Sequence, residues 1–154
     1  MARRRRPLPI LEGAQAAAVD PRFYVTLTAS AGTGKTQVLT GRVLRLLLSG
    51  AAPETILCLT FTKAGASEMA NRIGAQLASW VRMKDADLKK DLFALGESND
   101  PVTQQHARRL FARVLDASGG LRIQTIHSFA QALLARFPDE AGIAPGFQPI
   151  EGRA

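Results

Sequence analysis

The sequence contains very few of the residues that build disulfide frameworks and metal centres. Its 154 residues include one cysteine, Cys58, and two histidines. A single cysteine cannot form an internal disulfide, and these few, well-separated side chains do not make a zinc site. Cys58 lies in an apolar run, so we expect a buried, reduced thiol in a cytoplasmic protein.

Long apolar runs are also missing. No stretch of eighteen apolar residues occurs, and the N-terminus has no apolar segment of the secretory type, which argues against a membrane span or a secretion signal. The apolar fraction of 46% and the charged fraction of 21% are ordinary for a folded domain and argue against wholesale disorder. The length suits one domain, or part of a larger one.

Positive charge is unevenly distributed in this chain of net charge +7. More than half of it comes from the four consecutive arginines Arg3–Arg6. We predict that residues 1–10 form a basic, disordered arm. A non-specific contact with phosphates is the sharper alternative, whereas a mitochondrial presequence is disfavoured because no long Ser-rich amphipathic stretch follows.

Strand and helix patterns alternate along the chain. Strands are predicted at Phe23–Thr28, Thr55–Phe61 and Leu121–Thr125, and the apolar run of the second is typical of a strand buried on both faces. Helices are predicted at Leu11–Asp20, Lys35–Leu48, Ala64–Val81, Leu88–Leu95, Ile126–Phe137, and from Pro101 to the break at Gly119-Gly120. This order predicts an α/β fold with a parallel sheet. Because sheets usually have about five or six strands, three strands indicate an incomplete fold.

A glycine-rich loop follows the first predicted strand and precedes a helix. Residues 29–36 match the phosphate-loop pattern G-x-x-x-x-G-K-[ST], except that Ala29 replaces the first glycine. Backbone N–H groups and a helix N-terminus there can surround a triphosphate, Lys35 can reach its β- and γ-phosphates, and the Thr36 hydroxyl can bind Mg²⁺. The predicted nucleotide-binding residues are Ala29, Ser30, Ala31, Gly32, Thr33, Gly34, Lys35 and Thr36, with Lys35 as the catalytic residue.

Hydrolysis of a bound nucleotide also requires carboxylates, and these are not where they are needed. None of the predicted strands ends in Asp or Glu: Asp116 lies at a helix end, and Asp139-Glu140 follows Pro138. We therefore expect the chain to bind a nucleotide but to turn it over poorly or not at all.

Three further segments carry a resemblance to a known family. Residues 11–19 follow L-x-x-x-Q-x-x-A-V around Gln15, residues 59–73 follow a T-F-T-x-x-A motif with Gly65 at a usual alanine, and residues 124–129 contain T-x-H-x-F. With the phosphate loop, they resemble the N-terminal part of superfamily 1 DNA helicases of the UvrD/RecB type. The likeness is densest to the AddA subunits of AddAB helicase–nucleases in their alphaproteobacterial form.

The resemblance implies a role for each motif. Gln15 would read the adenine edge of ATP, although a surface glutamine is the commoner explanation of such a residue. Residues at the two other motifs would touch single-stranded DNA; Phe61 could equally be a core residue, and a lone His127 is often structural. The implied DNA-binding residues are Thr60, Phe61, Thr62, Lys63, Thr125 and His127.

The same resemblance implies the architecture and the partners. Residues 11–137 would form the N-terminal part of a RecA-like P-loop NTPase lobe, and the Gly/Pro-rich tail 138–154, without a clear element, would lead to an accessory subdomain. ATP and Mg²⁺ would be the cofactors. DNA (a single-stranded track and a duplex end) and an AddB-like nuclease subunit would be the partners in double-strand-break repair.

Members of that family are many times longer, so we expect a fragment with uncovered apolar surface that aggregates or is only partly ordered. Two alternatives remain open at this point. One is a small P-loop nucleotide kinase, and the other is a non-catalytic nucleic-acid-binding module that acts through the basic arm.

Overall fold

The computed structural model describes residues 7–28 and 34–147. The predicted helices are confirmed with small shifts of their ends, and a short helix, α7, lies in the tail where we expected no element. Within the described residues, a short 3-10 helix at Pro53–Thr55 precedes the strand Leu57–Thr60. The elements are α1 Gly13–Val19, α2 Lys35–Leu48, β1 Leu57–Thr60, α3 Lys63–Arg82, α4 Asp85–Ala94, α5 Pro101–Asp116, β2 Arg122–Thr125, α6 Ile126–Arg136 and α7 Pro138–Ala141.

The two strands form a parallel pair, as predicted for an α/β fold. Their register sets Leu57 opposite Arg122 and Thr60 opposite Thr125. Parallel strands need a long crossover, and here α3, α4 and α5 supply it. The result is a partial α/β lobe of two strands flanked by helices.

The first of the three predicted strands, Phe23–Thr28, is wrong: among the described residues only β1 and β2 pair. Its β-branched and aromatic composition favours a strand, but a strand also needs a partner. The side chains of Phe23, Tyr24 and Val25 are exposed instead. The Phe23 carbonyl accepts a hydrogen bond from Arg42 Nη2 at 2.6 Å rather than from another strand.

The expectation that the second strand is buried on both faces is also wrong. Leu57 and Leu59 are 41% and 43% exposed. Only the alternate side chains face the interior, where Cys58 and Ile123 pack on the main core. Cys58 is therefore half-buried, and this burial raises the pKa of its thiol.

The main core lies between α2, α3, α4 and α5. On α3, Ile73, Leu77 and Trp80 recur at helical spacing and are fully buried. The remaining buried members are Val43, Leu44, Leu47, Ile56, Met69, Leu88, Leu92, Leu95, Ala107 and Leu110.

A minor core joins α1 to the first half of α2. It consists of Ala18, Val19 and Val38, with Leu11 and Leu27 packed against it. Arg42 of α2 fixes the chain that leaves α1, because its Nη1 donates to the carbonyls of Ala18 and Asp20 at 3.0 and 2.7 Å. The helix α2 therefore contributes to both cores. None of the helices in the described ranges has the length and apolar character required to cross a membrane.

Candidate functional site

Gly34 ends the phosphate loop and begins helix α2. Its φ of +87° lies in the left-handed region, where glycine is favoured because any side chain there is strained. Its carbonyl accepts hydrogen bonds from the N–H groups of Gln37 and Val38 at 2.9 and 3.1 Å. Residues 29–33, which include the other predicted loop residues, lie outside the described residues.

Lys35 and Thr36 form the first turn of α2. Lys35 is exposed and Thr36 is half-buried. The first turn contains no acidic side chain, so no carboxylate of that turn offsets the positive end of the helix dipole, which favours phosphate. Thr36 would offer its hydroxyl oxygen to a Mg²⁺ ion, which prefers oxygen ligands.

Gln15 lies beside this helix start. A Cβ atom added to Gly34 would stand 3.8 Å from Gln15 Nε2. Helix α1 is held against α2 by the minor core, and Gln15 itself is half-buried. The structure therefore brings together Gln15 and the end of the phosphate loop, which are about twenty residues apart in the sequence.

The first predicted DNA-binding junction leads from β1 into α3. Thr62 caps α3, and its hydroxyl accepts a hydrogen bond from the Gly65 N–H at 3.0 Å. A Cβ at Gly65 would stand 3.0 Å from the hydroxyl oxygens of both Thr60 and Thr62. Glycine at this position thus leaves room for the two hydroxyls at the helix start.

The side chains around this junction point to solvent. Phe61 is 83% exposed, so the interpretation of Phe61 as a core residue is wrong for this structure. Lys63, the first residue of α3, is also exposed. Farther along α3, Glu68 and Arg72 form an exposed ion pair at 2.6 Å, as their spacing predicts.

The second junction leads from β2 into α6. Thr125 is 7% exposed and caps α6, since its hydroxyl accepts from the Ser128 N–H at 3.1 Å. The two hydroxyls of Thr125 and Ser128 also bond at 2.8 Å. His127 lies in the first turn of α6 and is exposed.

Both junctions lie at the same end of the sheet. Thr60 and Thr125 end their strands in register, so the N-termini of α3 and α6 begin side by side. Each helix start offers N–H groups and a positive dipole end. Lys63 and His127 add exposed nitrogen groups to this end, which makes it suitable for a phosphate chain.

Carboxylates are not part of this arrangement. β1 is followed by Phe61 and Thr62, and β2 by Ile126 and His127. Over the described ranges, no three His, Cys, Asp or Glu side chains gather as a metal site would require. The described residues can hold phosphates but provide no acid at a strand end to activate water.

Sequence reasoning missed two residues that position these groups. Arg42 is a link between α1 and α2 through three backbone carbonyls, and Ser128 shares the cap of α6 with Thr125. Every residue has a backbone carbonyl, so the sequence pattern could not show that Arg42 binds these three. Ser128, three residues after Thr125, matched a hydroxyl cap and could have been found.

Comparison with known proteins gives a consistent family. Residues 11–153 match the UvrD/REP helicase N-terminal domain. The chain is 35% identical over 130 residues to the A subunit of the ATP-dependent helicase/nuclease of Latilactobacillus sakei, covering 84% of this chain and 13% of that protein. It is 32% identical over 134 residues to the protein of the same name in Enterococcus faecalis, covering 87% of this chain and 9% of that protein.

A third relative extends the similarity along the chain. The corresponding helicase/nuclease protein of Lactobacillus acidophilus, which has the same name, is 32% identical over 142 residues, covering 92% of this chain and 10% of that protein. The chain thus spans about a tenth of the length of the curated relatives that it matches. The family match covers the phosphate loop and both strand-to-helix junctions, and the chain belongs to the UvrD/REP helicase N-terminal domain family.

Proposed function

We propose that this chain is the ATP-binding and single-stranded-DNA-contacting N-terminal part of an ATP-dependent DNA helicase/nuclease subunit. The observation that carries the proposal is the position of Gln15 beside Gly34, at the start of the helix that bears Lys35 and Thr36. An amide that can both donate and accept stands next to a helix start that favours phosphate. This pairing suits an adenine nucleotide better than it suits phosphate alone.

Different groups of the chain would hold the phosphates, the metal and the base of the nucleotide. The N-terminus of α2 and the Lys35 ammonium would neutralise the phosphates, while Thr36 would contribute a hydroxyl to Mg²⁺. A bound Mg²⁺ would offset part of the phosphate charge. Gln15 would orient the base, because the minor core fixes α1 against α2.

Single-stranded DNA would run along the carboxyl end of the sheet. Lys63 and His127 are exposed at the adjacent starts of α3 and α6, where N–H groups favour phosphates. Thr62 and Thr125 use their hydroxyls to cap these helices, so we assign them to shaping the site. Thr60 lies beside Thr62 at Gly65, and exposed Phe61 would offer its ring to a base.

The role of the whole protein follows from the relatives and not from this chain. They are named as the A subunits of helicase/nucleases, which supports a subunit that works with a nuclease partner of the AddB type. Double-strand-break repair in the cytoplasm is the setting we propose. The alphaproteobacterial form and the division into residues 1–10, 11–137 and 138–154 stay predictions.

The nucleotide site can be tested by titrating a fluorescent ATP analogue with Mg²⁺. Lys35→Ala should weaken binding of both ATP and GTP analogues, because it removes a phosphate contact. Gln15→Ala should weaken the ATP analogue by about tenfold and the GTP analogue much less, since a lost hydrogen bond to a base edge is worth about 1–1.5 kcal/mol. Equal losses for both bases would refute the role of Gln15, and phosphoryl transfer to a nucleoside monophosphate would favour the kinase.

The DNA site can be tested separately by anisotropy of labelled oligo(dT) over a salt series. Lys63→Ala should weaken binding and reduce the slope of log K against log salt by about 0.7, the value for one phosphate on a single strand. Arg109→Ala, an exposed arginine on α5, is the matched control and should leave the slope unchanged. If the two variants behave alike, the junction is not the DNA site.

A further inference from the structure

A groove on the side of α4 has no role in the nucleotide or DNA sites described above. Its volume is about 470 Å³. We call it the α4 groove, and it is lined by Pro7, Leu8, Ile10, Lys89, Lys90, Phe93, Ala94 and Asn99. We propose that the α4 groove is a second binding site for single-stranded nucleic acid, with Phe93 as a stacking platform and Lys89 and Lys90 as phosphate contacts.

Phe93 and the two lysines share one side of α4. Lys89 and Lys90 precede Phe93 by four and three residues, a spacing that places side chains on the same helix face. Phe93 is 64% exposed, and Ile10 across the groove is 62% exposed. An apolar floor with cations at its margin is the arrangement with which proteins bind single strands, because bases stack on the ring while phosphates meet the lysines.

The positive charge of the α4 groove favours an anionic ligand. Among the described residues, the groove lining contains two lysines and no carboxylate. Lys90 approaches Asp87 at 3.6 Å, but both side chains are exposed, at 72% and 58%, so this contact neutralises it little. The sequence also attaches Arg3–Arg6 directly to Pro7, which is part of the groove wall.

The N-terminal wall of the groove is fixed from beneath. The N–H of Leu8 donates to Oδ1 of Asp91 at 3.1 Å, and Asp91 is 1% exposed. Leu8 also packs on the main core. This wall of the groove is therefore held in place before a ligand binds, which lowers the entropic cost of binding.

The α4 groove is distant from the junctions at the end of the sheet. Trp80, which hydrogen-bonds Asp91 beneath the groove, lies seventeen residues after Lys63 on α3. At 1.5 Å per residue that separation is about 25 Å along the helix. The groove and the Lys63 junction are therefore separate sites near opposite ends of α3.

The test measures anisotropy of oligo(dT) on the 154-residue chain carrying Lys63→Ala, which weakens the junction. Phe93→Ala should raise the dissociation constant by about tenfold and leave the salt slope unchanged. Phe93→Trp should restore binding, because it retains a platform. The pair Lys89→Gln and Lys90→Gln should reduce the salt slope by about 1.4.

Controls separate the groove from other sources of affinity. Val102→Ala removes another exposed apolar side chain, 77% exposed on α5, and should not change binding. The proposal would be overturned if Phe93→Ala bound oligo(dT) with wild-type affinity. It would also be overturned if affinity fell only when the four arginines Arg3–Arg6 were replaced by glutamine. An equal effect of Phe93→Ala on duplex DNA, or binding of poly-Glu in place of oligo(dT), would overturn it too. If Phe93→Ala weakened binding of oligo(dT) and Lys63→Ala did not, the α4 groove would be supported as a binding site and the proposed DNA site at the Lys63 junction would be refuted.

Discussion

Asp91 is a buried carboxylate that ties three parts of the main core together, and its substitution should destabilise the fold. It is 1% exposed. Its oxygens accept from the Leu8 N–H at 3.1 Å, Gln76 Nε2 at 2.8 Å and Trp80 Nε1 at 2.9 Å. The residue therefore joins α4 to α3 and to the N-terminal segment.

The expected cost of Asp91→Asn follows from these bonds. The new amide would turn its oxygen toward Gln76 and Trp80, because two donors lie there, and its NH₂ would face the Leu8 N–H. One bond to a charged acceptor, worth about 1.5–3 kcal/mol, is then lost, and the other two become neutral and weaker. We expect a loss of about 3 kcal/mol in the free energy of unfolding, which lowers the Tm by roughly 6–12 °C in a chain of this size.

Urea unfolding of wild type and variant, followed by circular dichroism, measures this difference. Because Trp80 is the single tryptophan and contacts Asp91 directly, its fluorescence reports the same site. Asp87→Asn is the matched control, since its side chain is 58% exposed, and it should change stability by less than about 0.5 kcal/mol. If Asp91→Asn unfolds at the same urea concentration as Asp87→Asn, the assignment of Asp91 as a structural link is refuted.

Three other changes test separate parts of the structure. Arg108→Ala should cost about 2 kcal/mol in urea unfolding, because Arg108 donates to the carbonyl of Trp80 in the last turn of α3 and to that of Met83 just after it, and Arg108→Lys should recover less than half since it lacks the planar fork. The Ser98 hydroxyl and the Thr103 N–H and hydroxyl hold the pKa of Asp100 at about 2, below its unfolded value near 4. Its stabilising contribution is therefore complete above about pH 4 and lost as pH falls through 2, and the free energy of unfolding of Asp100→Asn should lack that part of the pH dependence. Gly34→Ala should weaken the ATP analogue about five- to tenfold, because a φ of +87° strains any residue with a Cβ, and unchanged affinity would show that the loop does not need this conformation.

The helices were predictable because their signals are local. The spacing of Ile73, Leu77 and Trp80 on α3 identifies a buried stripe from the order of residues alone. The start of α5 at Pro101, after the cap Asp100, follows equally from residue chemistry. The family resemblance implied that Gln15 reads adenine, and in the structure Gln15 Nε2 would stand 3.8 Å from a Cβ atom added to Gly34.

The strands and the buried polar links were harder to predict because they depend on distant residues. Phe23–Thr28 has the composition of a strand, but composition cannot show whether a partner is available to pair with it. Leu57 and Leu59 were expected to be buried, yet their face of the sheet is partly exposed. Asp91 follows two lysines on α4 and resembles a surface residue, so its hydrogen bonds with Leu8, Gln76 and Trp80 could not be read from the sequence.

Because Phe23–Thr28 does not form a paired strand, the phosphate loop must be connected to the Lys63 junction in another way. A paired strand at Phe23–Thr28 would have joined the phosphate loop to β1 and β2 through backbone hydrogen bonds. Instead, α2 starts at the loop with Lys35 and contributes Leu44 and Leu47 to the main core, where α3 contributes Ile73. Because α3 begins at the Lys63 junction, the packing of α2 on α3 connects the proposed nucleotide site to the proposed DNA site. Close-packed side chains have low compressibility and transmit strain, so α2 and α3 should move together as one body if a nucleotide binds at the proposed site.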